Sequence, residues 1–302
     1  MATNTQDYRR FLDPLVLTKI GNLELVARLV VEGFLVGLHK SPYHGFSVEF
    51  AEYRQYNPGD PPKSIDWKVY ARTDRYYVKE FEEETNLRSY ILLDKSASMG
   101  FSHDKRLSKL EYGRFFAAAL AYLMVQQKDA VGLLTFDEKV DTIIPASMTR
   151  IQLTELLKTL DRLQNAGLTK IDSTFKGLAE KIKRRGLIIL ISDLLDDPEG
   201  IIAALSHFRH MKNEVIVFHI LDPVELSFDF SKEAHFIDME TDRKLPVQPW
   251  MVREEYKNRV GEFFDILKYR CQEIGVDYNL VTTDKPYDIA LLAYLHKRKM
   301  LH

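Results

Sequence analysis

Apolar runs without alternation constrain the fold of this chain more than any other feature of its sequence. The main ones occupy residues 90–94, 131–136, 187–192 and 215–221, and a further run lies at 140–144. A strand that is buried on both faces is apolar at nearly every position, whereas a half-exposed strand alternates. The runs therefore predict a sheet that is covered by other elements on both sides.

Helical spacing fills the gaps between these runs. The leucines between positions 153 and 160 fall on one helical face, and similar patterns predict helices over 107–125, 171–183 and 200–210. Alternating strands and helices predict an α/β fold with a doubly wound, mostly parallel sheet. Residues 136–140 have the features of a tight turn, so one strand at the sheet edge is expected to be antiparallel.

The segment before this region differs in character and is predicted to be an accessory segment, residues 1–86. It contains an amphipathic helix over 23–38 and short strands at 65–68 and 76–81. Trp67 is expected to anchor the segment on the sheet domain by packing, and a partner surface is the alternative.

The α/β domain is predicted to run over residues 87–302. After a polar stretch, its last part is expected to hold a long helix over 252–273, a strand over 276–281 and a final helix over 287–297.

Composition excludes several classes of protein. The net charge of −2 gives no global reason to expect nucleic-acid binding. The single cysteine, Cys271, excludes an intrachain disulfide and a thiolate metal cluster, and is expected to be half-buried on a helix. No uninterrupted apolar stretch approaches the roughly 20 residues of a membrane helix, and the first ten residues lack a signal-peptide pattern. We therefore expect a cytoplasmic protein without an integral membrane segment.

An oxygen-rich corner follows the first of the main apolar runs. Asp94, Ser96 and Ser98 stand at alternate positions there, Asp193 directly follows the run at 187–192, and Thr169 lies in a glycine-led turn. Sites in open parallel sheets form outside the carboxyl ends of the strands, so these residues are expected to converge. Two carboxylates, three hydroxyls and water would make an octahedral set for Mg²⁺, with Mn²⁺ or Ca²⁺ as alternatives.

The charge of this set indicates what the ion would do. Serine and threonine ligands are neutral, so the cation would keep positive charge and attract a carboxylate from another molecule. This chemistry is that of an adhesive site rather than a catalytic one. Each residue taken alone has a simpler explanation, because Asp94 could cap a turn and Ser96 and Ser98 are common in linkers between strands and helices.

Other acidic residues are predicted to have local roles. Asp137, Glu138 and Asp141 are expected to form a solvated hairpin turn. Asp196 and Asp197 either line the same rim as Asp193 or start the helix that follows them.

The pattern Asp94-x-Ser96-x-Ser98, followed by Thr169 and Asp193, resembles the metal-ion-dependent adhesion site of von Willebrand factor type A domains, with coverage of about residues 87–283. The upstream block, with Glu49-Phe50-x-Glu52-Tyr53-Arg54-x-Tyr56-x-Pro58-Gly59-Asp60 and Ile65-Asp66-Trp67, resembles the bacterial family called domain of unknown function 58.

This resemblance implies a type A fold of the Rossmann-like kind in which Mg²⁺ is a docking point for a partner's Asp or Glu. It also implies an adaptor that works with a MoxR-type AAA+ ATPase in the assembly or activation of other proteins. Leu168 and Lys170 depart from residues that are common in related proteins, although Thr169 is retained. In type A domains ligand binding can be coupled to movement of the last helix.

Enzyme functions fit the sequence less well. A phosphatase of the haloacid dehalogenase type needs a second aspartate where this chain has Ser96, and no Walker A or His-Glu-x-x-His pattern is present. We expect no enzyme activity, and the alternative is a Mg²⁺-dependent, phosphatase-like hydrolase that uses the Asp94 corner. A general base near Asp94, such as His103, would be its strongest support.

Overall fold

The computed structural model describes residues 14–40, 53–56, 65, 67–79, 87–104, 106–165, 167, 182, 185–230, 234–237 and 244–300. The described helices are α1 (Pro14–Leu17), α2 (Leu23–Lys40), α3 (Trp67–Thr73), α4 (Lys109–Gln126), α5 (Arg150–Arg162), α6 (Pro198–His210), α7 (Pro223–Ser227), α8 (Pro249–Glu273) and α9 (Asp288–Met300). The described strands are β1 (Tyr53–Gln55), β2 (Tyr77–Lys79), β3 (Arg88–Asp94), β4 (Ala130–Phe136), β5 (Val140–Ser147), β6 (Leu187–Ser192), β7 (Glu214–Leu221), β8 (Ala234–Ile237), β9 (Lys244–Val247) and β10 (Asp277–Thr282).

A six-stranded sheet in the order β10-β7-β6-β3-β4-β5 organises the molecule. Neighbouring strands are parallel except for β5, which runs antiparallel to β4 at the edge. Every residue of β4 and β6 is buried, as the uninterrupted apolar runs predicted. The predicted α/β fold with a doubly wound, mostly parallel sheet is therefore confirmed, as is the antiparallel edge strand.

The order of the strands fixes where a site is expected. The chain proceeds from β3 outward to β4 and β5, then returns to the other side of β3 with β6 and continues outward through β7 to β10. Such a reversal opens a crevice at the carboxyl ends of the two strands that flank it, here β3 and β6. Leu93 pairs with Ile191, so the residues that follow these two strands emerge side by side.

Apolar side chains from helices cover both faces of the sheet. On one face, residues of α2, α4, α5 and α9 join the core, and Phe116 of α4 lies edge-to-face on Phe218 with ring centroids 4.7 Å apart. On the other face the core includes residues of α6 and α8, among them Phe208 and Leu267. Cys271 is also part of this second layer and is fully buried, rather than half-buried as predicted.

The predicted helix in the accessory segment is confirmed as α2. Its apolar stripe, which includes Val26, Val30 and Phe34, is buried in the same core as α4 and α5. The division of the chain at residue 86 remains a prediction, and the described part of the accessory segment is packed into the main core through this helix.

The expectation for Trp67 was wrong in two respects. The predicted strand at 65–68 is replaced by α3, which begins at Trp67, because the pattern places Trp67 and Tyr70 three positions apart on one helical face. Their rings meet edge-on, 6.0 Å apart, and the Trp67 side chain is 57% exposed. It therefore does not act as a buried packing anchor.

The remaining predicted elements that the structure describes agree within a few residues, but β1 and α7 were not predicted. The helix predicted over 171–183 lies outside the described residues. The hairpin of β8 and β9, within the stretch predicted only as polar, was missed. No described helix combines the length and the apolar character that are needed to cross a membrane.

Candidate metal centre

Asp94 is the last residue of β3, and its side chain is fully buried at the crevice between β3 and β6. Oδ1 accepts a hydrogen bond from the Ser96 backbone N–H at 2.9 Å, and Oδ2 accepts one from the Ser192 hydroxyl at 2.6 Å. Each carboxylate oxygen has two lone pairs, so both oxygens keep an acceptor position. The two hydrogen bonds fix the orientation of the carboxylate.

Ser96 and Ser98 present their hydroxyls next to each other. The Ser96 side chain is fully buried, and its Oγ lies 3.1 Å from Ser98 Oγ. Neighbouring oxygens in an octahedral Mg²⁺ shell are about 3.0 Å apart, because the metal–oxygen distance is about 2.1 Å. The spacing of the two hydroxyls therefore suits adjacent positions on a small divalent cation.

Asp193 follows β6 and is fully buried, as Asp94 is. Its Oδ2 lies 2.8 Å from the Lys109 ammonium, with which it forms a buried ion pair. Oδ1 accepts a long hydrogen bond of 3.4 Å from the Leu195 N–H. The negative charge of Asp193 is thus partly balanced by a lysine of the same chain.

The buried carboxylates of Asp94 and Asp193 interact electrostatically. Burial, with the negative charge of Asp193 second, raises the pKa of Asp94 to about 7. Hydrogen bonds from Ser192 and Ser96 oppose this shift without cancelling it. A buried like-charged pair of this kind is relieved when a cation binds beside it.

Thr169, the fifth predicted ligand, lies outside the described residues. The turn that leads to it is described at Gly167, which has the left-handed φ of 81°. The Gly167 carbonyl accepts a hydrogen bond from the Ala97 N–H at 3.0 Å. A Cβ on Gly100 would lie 2.3 Å from Asn165 Nδ2, so the chain before Thr169 packs against the Ser96–Ser98 turn.

These observations test whether the residues fit a metal ion. In the described part of the chain, no group of three or more His, Cys, Asp or Glu side chains is arranged to hold one. An ion would depend on the Asp94 carboxylate, the Ser96 and Ser98 hydroxyls and water, which is a ligand set for a hard cation such as Mg²⁺. The donor chemistry and the hydroxyl spacing fit, and Asp193 is placed to act beside them.

Several residues of the site escaped the sequence-based predictions. Ser192 donates a hydrogen bond that orients the Asp94 carboxylate, and Lys109 forms an ion pair with Asp193. Neither residue was singled out from the sequence. The prediction of a solvated turn was wrong for Asp137, because its carboxylate pairs with Lys95 Nζ at 2.5 Å and lies against Gly167. Burial alone would raise the pKa of Asp137, but the hydrogen bonds from Lys95 and from the backbone of Lys139 and Glu138, together with the charge of Lys95, lower the pKa.

Of the two roles predicted for Asp197, the structure supports the one at the start of a helix. Its carboxylate accepts a hydrogen bond from the Gly200 N–H at 2.9 Å and caps the start of α6.

The backbone and the ring of His103 make contacts in the region that follows β7. Its backbone N–H donates to Asp222 Oδ2 at 3.0 Å, and its ring lies edge-on to Phe230. The second oxygen of Asp222 accepts from the Val224 N–H at the start of α7. These contacts tie the loop after the Ser96–Ser98 turn to the carboxyl end of β7.

Fold and site together define a doubly wound α/β protein with an acidic, hydroxyl-lined corner at the sheet's point of reversal. The chain belongs to the family described as "Protein of unknown function DUF58", which matches residues 52–262.

A relative is found among the mycobacteria. "Uncharacterized protein Rv1480" of Mycobacterium tuberculosis H37Rv is 28% identical over 294 residues, which cover 95% of this chain and 91% of that protein.

Solved structures with partial backbone similarity include the conserved hypothetical protein BatB from Bacteroides thetaiotaomicron. It has a TM-score of 0.47 and 15% identity, and the match covers 72% of this chain and 100% of that one. The VWA domain of SpRpn10 matches with a TM-score of 0.41 and 11% identity, over 69% of this chain and 94% of that domain.

Proposed function

We propose that this protein is a metal-dependent protein–protein interaction module that presents Mg²⁺ at the carboxyl edge of its sheet. Asp94, Ser96, Ser98 and Asp193, with Thr169 from the adjoining turn, would hold the ion directly or through water. When bound, the ion supplies an electrophilic docking point for a carboxylate of another protein. The proposal rests chiefly on the pairing of Ser96 Oγ and Ser98 Oγ, 3.1 Å apart, beside two buried carboxylates.

A docking role fits the charges better than a catalytic one. The proposed ligand set contains three neutral hydroxyls, and one of its two carboxylates, Asp193, is already paired with the Lys109 ammonium. A divalent ion that is held this way keeps much of its charge, so an Asp or Glu from a partner is favoured in an open position.

We further propose that the partner, or the system that delivers it, is an AAA+ ATPase of the MoxR type. This part of the proposal rests on the sequence resemblance described above. Co-purification from the native host should retain such an ATPase when Mg²⁺ is present and lose it with a chelator or with Asp94→Asn. Retention of the ATPase under all three conditions would contradict a metal-dependent contact.

The first test is direct measurement of metal binding by isothermal titration calorimetry. Asp94→Asn should raise the Mg²⁺ dissociation constant at least about 100-fold, since even groups that only orient ligands affect affinity by about 10–100-fold. The metal-free variant should be no less stable than the wild type in urea, because the substitution removes one of two buried like charges.

A matched control is available on the outer surface. Asp161 on α5 is 63% exposed in its side chain, so Asp161→Asn should leave the dissociation constant unchanged. Mg²⁺ affinity within about threefold of wild type in Asp94→Asn would contradict the proposed site.

The alternative of a Mg²⁺-dependent hydrolase is tested separately. With Mg²⁺ bound, the wild-type protein is expected to leave p-nitrophenyl phosphate unhydrolysed over hours. Turnover that requires Mg²⁺ and disappears in Asp94→Asn would replace the docking function with hydrolysis.

A further inference from the structure

Lys109 lies at the start of α4, and its side chain is fully buried. Its ammonium lies 2.8 Å from Asp193 Oδ2 and 2.6 Å from Glu225 Oε1, and 5.7 Å from the centre of the Phe101 ring. Fully buried lysines are rare and are normally paired. Here a single ammonium serves two carboxylates, and one of them belongs to the candidate metal centre.

The second carboxylate is itself held firmly. Glu225 lies in the first turn of α7, where its Oε2 accepts a hydrogen bond from the Asp222 N–H at 2.7 Å. Its backbone carbonyl accepts a hydrogen bond from the Tyr256 hydroxyl at 2.8 Å. Because Glu225 is fixed by α7 and α8, the position of the ammonium between the two carboxylates is fixed too.

This arrangement has a consequence for a cation at the site. A carboxylate that faces an ammonium contributes less negative charge to a metal ion than a free one does. Asp193 Oδ2 lies 2.8 Å from the Lys109 ammonium, and both side chains are fully buried. The affinity for the ion is therefore limited by a group that belongs to the protein itself.

Building on the proposed function, we infer that Lys109 acts as an internal counter-ion that reduces the negative charge which Asp193 offers to the metal, and so weakens the binding of the cation. Lys109 is a positioning residue in this scheme and does not touch the ion. Its effect is to leave the bound cation more electropositive, which favours the carboxylate of the partner. In this way a lysine that does not bind the ion favours a carboxylate as the group that the partner contributes.

The decisive variant removes the ammonium and one carboxylate together. Lys109→Met/Glu225→Gln keeps the summed charge of Lys109, Glu225 and Asp193 unchanged, and frees Asp193 to face the cation. The dissociation constant for Mn²⁺, measured by the loss of its free electron paramagnetic resonance signal, should fall about tenfold. Glu225→Gln alone should raise it about threefold, since Lys109 is then left to Asp193 alone.

A control with the same chemistry lies on the exposed side of α8, where Arg259 and Glu255 pair at 2.6 Å with both side chains mostly in water. Arg259→Met/Glu255→Gln should leave Mn²⁺ binding unchanged. Near-UV circular dichroism verifies that each variant is folded.

The outcomes separate this inference from the proposed function. If the wild type binds no Mn²⁺ or Mg²⁺, the proposed function fails. If the wild type binds and the folded double variant binds equally or more weakly, only the role of Lys109 is overturned. Should the double variant not fold, unchanged Mn²⁺ affinity in Glu225→Gln overturns the inference, whereas a threefold loss supports it.

Discussion

Lys109→Met is expected to lower the free energy of unfolding by about 3–5 kcal/mol, which is the usual effect of removing one partner from a buried ion pair. The substitution keeps much of the apolar stem, so the loss comes mainly from the charges. Asp193 is fully buried and the Glu225 side chain is 18% exposed, and both lose their cation. Urea unfolding of the metal-free protein, followed by circular dichroism, measures the change.

The same chain provides a second buried lysine, Lys297, that also pairs with two carboxylates, but its partners reach the solvent. Lys297 bridges Glu214 at 2.8 Å and Asp277 at 3.0 Å, but these carboxylates are 32% and 49% exposed and stay solvated when it is removed. Lys297→Met is therefore expected to cost only about 1 kcal/mol. Equal losses in the two variants would contradict the claim that burial makes the Lys109 pair costly to break.

Gly186→Ala is expected to destabilise the protein by about 3 kcal/mol or more, because the new methyl group meets backbone rather than a flexible side chain. A Cβ at this position would lie 2.2 Å from the Arg88 carbonyl oxygen. Gly186 also donates its N–H to Asn213 Oδ1 at 3.0 Å and accepts from the Glu214 N–H at 2.9 Å, so it cannot move freely. The strand β6, which carries Ser192, begins at the next residue.

A second glycine gives the opposite expectation. Gly261 lies inside α8, and a Cβ there would meet nothing within 4 Å. Gly261→Ala should raise the free energy of unfolding by about 0.5–1 kcal/mol, because alanine favours a helix. Thermal and urea unfolding of both variants tests the pair, and a loss for Gly261→Ala or no loss for Gly186→Ala would contradict the packing described.

The strands of the sheet were predictable because a strand that is buried on both faces is a nearly continuous run of apolar residues. Runs such as that in β6 admit apolar residues at every position, and the helices between them fix the parallel direction. The relative placement of Asp94 and Asp193 followed from the same logic, since both end neighbouring strands. The metal itself and the contribution of Thr169 remain predictions.

Lys109 was not predicted, although its sequence position carried a signal. It shares the apolar stripe of α4 with Tyr112, Gly113 and Phe116, at helical spacing, and all of these are buried. A lysine on such a stripe needs a buried partner, but its two partners come from the residue after β6 and from α7, far away in the chain. Asp137 was misjudged for a similar reason, because its partner Lys95 is brought to it only by the fold.

Helix α2 has a consequence for the biosynthesis of this protein. Roughly 70 residues separate its last residue, Lys40, from the start of α4 at Lys109, the helix that covers its apolar stripe. At about 5–20 residues per second, the ribosome needs about 3–14 seconds to make that stretch. During this interval Val26, Val30 and Phe34 lack their docking surface, so we expect α2 of the nascent chain to favour binding by a chaperone.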